Sequence, residues 1–268
     1  MSLQGFVAVD GGSLYYERAG MGPGVVLIHP GLWDSRTWDD QFPRFAERFL
    51  TVRYDVRGYG RSTRPEPGRV YSHVDDLLAV MEAAGIERAV LVGCSMGGGI
   101  ALEAALSHPD RVAALVLAAS ALPGFEPTPG EEAWWEEHAA GIEELVDAGE
   151  LEAAVRIEME IWAPLGVEDE AGARILQIAL DNRHELTMDE QDARGLDPPA
   201  VQRLESIAVP TLVLPADHDP PTSQRASAIL AERIPGARLA QIPEVDHVIN
   251  VRRPDEFDRV VLEFLGQI

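Results

Sequence analysis

Leu91-Val92-Gly93-Cys94-Ser95-Met96-Gly97-Gly98-Gly99 sets the only cysteine of the chain directly beside a serine, with glycines on both sides. The apolar run Ala89–Val92 before it reads as a buried strand, and residues 96–107 after it read as a helix. Gly93 and Gly97 stand two positions either side of Ser95, which fits Gly-x-Ser-x-Gly, the pattern of a nucleophile held on a sharp strand-to-helix turn. Such a turn needs small residues at those two positions. If Cys94 were central, Val92 and Met96 would have to be the small ones, and neither is. The spacing centres the turn on Ser95 and leaves Cys94 as a small hydrophobe pointing back to the sheet.

Outward from this turn, apolar runs alternate with helical ones. The candidate strands are Val25–Ile28, Leu50–Tyr54, Ala89–Val92, Ala114–Leu117, Thr211–Leu214 and Arg238–Ile242; a hairpin over Phe6–Val9 and Ser13–Glu17 turns at Asp10-Gly11-Gly12. Helices are predicted near 36–48, 72–84, 96–107, 221–233 and 254–265. This alternation predicts an α/β fold with a mostly parallel central sheet and helices on both faces, whose sites form at the carboxyl ends of strands. One segment breaks it. Residues 121–205 show helical spacing and no clear strand, so the expected division is a core of 1–120 and 206–268 with a helical cap of 121–205 inserted.

All 22 basic residues are arginine, which removes Schiff-base and phosphate-loop lysine chemistry. A net charge of −23 repels nucleic acid, whose binding draws on cationic contacts. The acidity is concentrated in 121–205, where 22 Asp and Glu against 5 Arg leave −17; this is the solvated outer face of small helices, or a lid that disfavours anionic substrates. The apolar runs are too short to span a bilayer, the first residues lack a leader pattern, and a single cysteine forms no internal disulfide, so the expected setting is the cytoplasm. The expected partner is a small molecule, with no membrane, no metal and no cofactor; homo-oligomerisation stays open.

A serine hydroxyl needs a base, and the base needs an acid to fix its tautomer. Of seven histidines, His73, His108, His138 and His184 lie in helical contexts and read as surface or cap residues, while His29 ends a strand and reads as loop floor. His247, after the last strand, is the candidate base. The strand Thr211–Leu214 runs into Pro215-Ala-Asp-His-Asp-Pro220; Asp219 is the preferred acid because Pro220 and Pro221 rigidify its turn, with Asp217 the rival. The oxyanion donors are the backbone N–H of Met96, which opens a helix, and of Gly31 or Leu32 in the loop after His29, where Pro30 has no N–H.

These residues together resemble the capped serine esterase and lactonase branch of the α/β-hydrolase superfamily, near 3-oxoadipate enol-lactonase-like and haloperoxidase-like proteins. The resemblance rests on His29-Pro-Gly31, Tyr54-Asp-Val-Arg-Gly-Tyr-Gly-Arg-Ser62, Gly93-Cys-Ser-Met-Gly-Gly98, Asp217-His-Asp-Pro220 and Asp246-His247, and covers nearly the whole chain outside the cap. Pro30 stands where the family usually has glycine. The resemblance implies that Gly31 is the second oxyanion donor and that Asp55 and Arg57 are structural. A serine at the turn implies cleavage of an ester or lactone through an acyl-enzyme; the acidic cap points to a neutral substrate. A C–C bond hydrolase, a perhydrolase and a non-catalytic ligand-binding receptor on the same scaffold are the alternatives. Leu32, Trp33, Trp134, Trp135, Met159 and Trp162 are candidates to line the pocket, the aromatics alternatively forming the cap's own core.

Overall fold

Eight strands pair into one sheet in the computed structural model, which describes residues 2–188 and 191–268. They are β1 Leu3–Val9, β2 Gly12–Ala19, β3 Gly24–Ile28, β4 Leu50–Tyr54, β5 Ala89–Cys94, β6 Val112–Ala118, β7 Thr211–Leu214 and β8 Arg238–Leu239, in the order β1-β2-β4-β3-β5-β6-β7-β8. The first two form the expected hairpin, β2 pairs antiparallel with β4, and every pairing from β4 to β8 is parallel.

Side chains alternate across each strand, so a sheet covered on both sides needs apolar residues at successive positions. Val25, Leu27, Val92, Cys94, Val116 and Leu214 pack on one face against α1 (Gln41–Phe45), α9 (Ile249–Arg252) and α10 (Pro254–Leu265). Val26, Ile28, Leu91, Leu117 and Val213 pack on the other against α2 (His73–Ala83), α3 (Met96–Ser107) and α8 (Pro221–Arg233). Each such side chain, fully removed from water, contributes about 1.5–3 kcal/mol.

Two expected elements are shorter than predicted. The helix over 36–48 is a single 3₁₀ turn, Ser35–Trp38, followed by the short α1, because Pro43 has no N–H and its ring excludes a helical carbonyl at Asp39. The strand over 238–242 ends at Leu239, and the Asp217 carboxylate then takes the backbone N–H groups of Glu244 and Val245.

Between β6 and β7 the chain forms α4 Pro129–His138, α5 Ile142–Asp147, α6 Leu151–Trp162 and α7 Glu170–Asp181, with one isolated bridge, Ala193 to Tyr71, as the extended pairing among the described residues. Val155, Met159, Ile175, Ile178 and Ala179 from α6 and α7 pack on Leu32, Trp33, Val248 and Val251. Ala200 and Leu204 rejoin the core on the α3 side. Residues 1, 189 and 190 of the expected division lie outside the described residues. No helix among the described residues is long and apolar enough to cross a membrane.

Candidate active site

Ser95 stands between β5 and α3 with φ 49° and ψ −117°, a backbone conformation that a side chain adopts only under strain. Its N–H donates to the Ala118 carbonyl at 3.0 Å, and its own carbonyl accepts from Gly99 and Ala121 at 3.0 and 2.9 Å. Neighbouring glycines make room for this turn. A Cβ on Gly93 would strike the Gly97 carbonyl, one on Gly97 would strike the carbonyls of Ile28 and His29, and one on Gly98 would strike the Ser120 hydroxyl. The start of α3 therefore lies against the end of β3, which brings the Met96 and Gly31 segments together.

Cys94 points the other way. It is fully buried among Val25, Leu27 and Val92, and its Sγ donates to the His247 carbonyl at 3.4 Å. Burial pushes the thiol pKa well above its ordinary value, and the negative charge of Asp219 adds to the shift. A thiol held protonated is a poor nucleophile.

Asp219 and Asp217 have different partners. His247 Nδ1 and Asp219 Oδ1 are 2.9 Å apart, both residues buried, whereas the Asp217 carboxylate is exposed and accepts the N–H of Glu244 at 2.9 Å and of Val245 at 2.8 Å. Gln224, in the first turn of α8, donates to the Asp219 carbonyl at 2.7 Å and fixes the loop, while Pro221 opens that helix. Burial raises the Asp219 pKa, opposed by the charge and hydrogen bond of His247; its Oδ2 is buried with no hydrogen-bond partner among the described residues. Asp246 is engaged with Arg252, at 2.7 Å.

Other histidines are accounted for. Val56 N–H donates to His29 Nε2 at 2.9 Å, so the proton sits on Nδ1, which donates to the Pro30 carbonyl at 2.7 Å. Both nitrogens are thus committed, and burial pushes the pKa down. His73 departs from the surface reading in part: it is half-buried, its ring packs edge-on to Tyr71 and its Nδ1 is out of solvent, with the pKa lowered to about 4 by burial first and then by Arg57 and His29. His184 bonds the Gly58 carbonyl and His138 stacks on Trp134. Asp55 accepts from Ser35 and from the Arg61 N–H, and Arg57 forks onto Asp76 at 2.7 and 2.8 Å, so both brace loops.

The six candidate pocket residues divide by position. Leu32, Trp33 and Met159 are buried in the cluster that α6 and α7 form with the core, with Trp33 Nε1–H donating to the Ile175 carbonyl at 2.9 Å. Trp162 lies against His247, ring centroids 4.3 Å apart, and Trp135 lies 5.4 Å from Trp162. Trp134 stands edge-on to Trp135 and spends its face on the exposed His138. Glu158, unremarked in the sequence reading, accepts the Trp162 Nε1–H at 2.7 Å; its place four residues before Trp162 on a helix was the available signal. Asp217, His218 and Glu244 are near enough to share an ion among the described residues, but all three are exposed and the Asp217 carboxylate is already committed to two backbone N–H groups.

A buried imidazole paired with a carboxylate, its backbone carbonyl bonded to the cysteine that precedes a serine on a strained turn at the carboxyl edge of a parallel sheet, suits transfer or hydrolysis of an acyl group. Residues 24–254 match the family model of the alpha/beta hydrolase fold, and the chain belongs to that family. Carbamate hydrolase RutD of Caulobacter sp. (strain K31), so named provisionally, is 32% identical over 280 residues, covering 96% of this chain and 97% of that protein. The 2-hydroxymuconate semialdehyde hydrolase of Pseudomonas putida is 30% identical over 237 residues, 84% of this chain and 79% of that one. Among solved structures, Est816, titled an N-acyl homoserine lactone degrading enzyme, superposes with a TM-score of 0.75 at 30% identity over 97% of this chain and 100% of its own. Hydrolysis is the reaction class in which these relatives place the chain.

Proposed function

We propose that the protein is a serine hydrolase that cleaves a small, neutral carboxylic ester or lactone through an acyl-enzyme. The observation that carries this reading is the 2.9 Å contact between His247 Nδ1 and the buried Asp219 carboxylate, at the edge of the sheet where Ser95 sits at φ 49°. Ser95 Oγ attacks the carbonyl while His247 Nε2 takes its proton; Asp219 holds the tautomer and stabilises the imidazolium. The backbone N–H groups of Met96 and Gly31 receive the oxyanion, each worth roughly a hundredfold or more in turnover. Collapse passes the proton from His247 to the leaving alcohol, and water repeats the cycle on the acyl-enzyme. The cap's net −17 disfavours anionic substrates, and the lactone named for Est816 is consistent with a neutral one.

A second reading, hydrolysis of a carbamate, is favoured by the near full-length identity to RutD, and the same residues would act on that carbonyl. The name of the Pseudomonas putida relative supports C–C cleavage as a third. A panel of p-nitrophenyl esters, lactones, carbamates and ring-fission dienones, assayed on wild type and Ser95→Ala, tests all three. The expected result is the highest kcat/KM on a neutral ester or lactone, falling at least about a thousandfold in Ser95→Ala. Ser95→Ala activity within tenfold of wild type would overturn the serine assignment.

A further inference from the structure

His247 is held from four sides, and two of the holds come from one cap residue. Trp162 ends α6; its carbonyl, one of the last four that a helix leaves unpaired, accepts the His247 N–H at 3.3 Å. Its indole lies 4.3 Å from the imidazole, centroid to centroid, at 46°. Cys94 Sγ takes the His247 carbonyl at 3.4 Å, and Asp219 takes Nδ1. The indole itself is fixed: Nε1–H donates to Glu158 one turn back at 2.7 Å, and Trp135, tied by its own Nε1 to Thr222 at 3.1 Å, flanks it at 5.4 Å.

We infer that Trp162, held by Glu158, is a positioning residue for His247, so that the base is set in place only when α6 of the cap is seated. The inference rests on His247 being the base proposed above. Asp219 alone fixes one atom of the imidazole, and the ring can still swing about that hydrogen bond. The indole on its side and the helix carbonyl on its backbone remove that freedom. The same contacts favour the imidazolium of the transition state, since an indole face and a helix C-terminus both attract positive charge. Glu158 is a costly residue to place there: burial raises its pKa, and the Trp162 N–H offsets this only in part. A cap that merely packed against the core would need neither.

The test separates positioning from the lining of a pocket. Wild type, Trp162→Ala, Trp162→Phe, Glu158→Ala and Glu158→Gln are assayed on p-nitrophenyl esters from acetyl to octanoyl, with the rate of fluorophosphonate labelling and the thermal midpoint measured on each. Trp162→Ala is expected to lose between about tenfold and a hundredfold in kcat and in labelling rate, equally at every chain length, with KM for the acetate moving less than threefold. Trp162→Phe keeps an aromatic face and recovers most of this, and Glu158→Gln recovers most of what Glu158→Ala loses. An effect of Trp162→Ala confined to longer acyl chains, or kcat and labelling within twofold of wild type, overturns the inference. If Trp162→Ala does not fold, the Glu158 pair decides alone: equal kcat in Glu158→Ala and Glu158→Gln, or no loss in either, also overturns it. Absence of labelling in wild type means that the serine reading itself has failed, and this inference falls with it.

Discussion

Ser95 holds a left-handed backbone conformation that costs about 1–3 kcal/mol, and the glycines around it show where the chain was shaped to allow this. Asp219 adds a second cost. Its folded pKa is raised above the ordinary carboxylate value by burial, so its stabilising contribution is present at acid pH and is lost as pH rises through the folded value. Once ionised, the carboxylate works against folding, while the mechanism proposed above requires it ionised. Asp219→Asn is therefore expected to lower kcat by about ten-thousandfold while the thermal midpoint at pH 7 stays level or rises. Asp217→Ala does the reverse: it frees the N–H groups of Glu244 and Val245, costing about 1 kcal/mol of stability with less than a tenfold change in kcat. Calorimetry and ester turnover on the two variants check both, and equal loss of activity would contradict the pairing of Asp219 with His247. The sequence order and the two prolines favoured Asp219 and left Asp217 open; what separates them, the turn that aims one carboxylate at His247 and the other at the backbone of 244–245, is made by residues 27 and 28 positions away.

At the scale of elements, the turn between β5 and α3 was legible because its constraint is local. Small residues at 93 and 97 are demanded by backbone passing within contact distance, and Gly97→Ala, whose Cβ meets the carbonyls of Ile28 and His29, is expected to cost about 2 kcal/mol or more. Urea unfolding measures it; an unchanged midpoint would contradict this packing. The truncated helix before β4 was also legible in principle, since Pro43 marks the break. The seating of α4 was not. Its Thr128–Glu131 capping box can be read from spacing, but Glu131 also forks onto Arg225 of α8, at 2.7 Å to each oxygen. Arg225 first, then the cap hydrogen bonds, lower the Glu131 pKa from 4.5 to about 2. A lowered pKa contributes stability above the unfolded value that is lost as pH falls through the folded one, here between 4.5 and 2. Acid unfolding followed by circular dichroism should show a shallower loss over that window in Glu131→Gln than in wild type.

Across the whole molecule, the strongly acidic segment between β6 and β7 is fastened to an acidic core by arginine and by one buried amide. Arg36 reaches Asp181, Arg174 reaches Asp40 and Arg252 reaches Asp169. Asn182, buried, accepts the Gly60 N–H at 2.8 Å and donates to Asp34 at 2.8 Å and to the Ile178 carbonyl at 2.9 Å. Removing that amide leaves buried groups unpaired, so Asn182→Ala is expected to cost about 1–3 kcal/mol, read as a lower thermal midpoint. Exposed pairs such as Arg36–Asp181 contribute little individually and are screened by salt. The mostly parallel sheet and its two covered faces followed from the alternation of apolar runs. The fastenings did not, because Asp34 and Asn182 are 148 residues apart and nothing in either neighbourhood announces the other. Trp33 shows the same limit: its N–H goes to the Ile175 carbonyl, 142 residues away, which nothing near either residue announces.

The assignment of Ser95 as nucleophile, with Cys94 as buried packing beside it, is tested most directly by intact mass after fluorophosphonate treatment of wild type, Ser95→Ala and Cys94→Ala. One phosphonyl adduct is expected on wild type, mapped to Ser95, the same adduct on Cys94→Ala, and none on Ser95→Ala. An adduct on Ser95→Ala, or one that disappears in Cys94→Ala, would contradict that assignment.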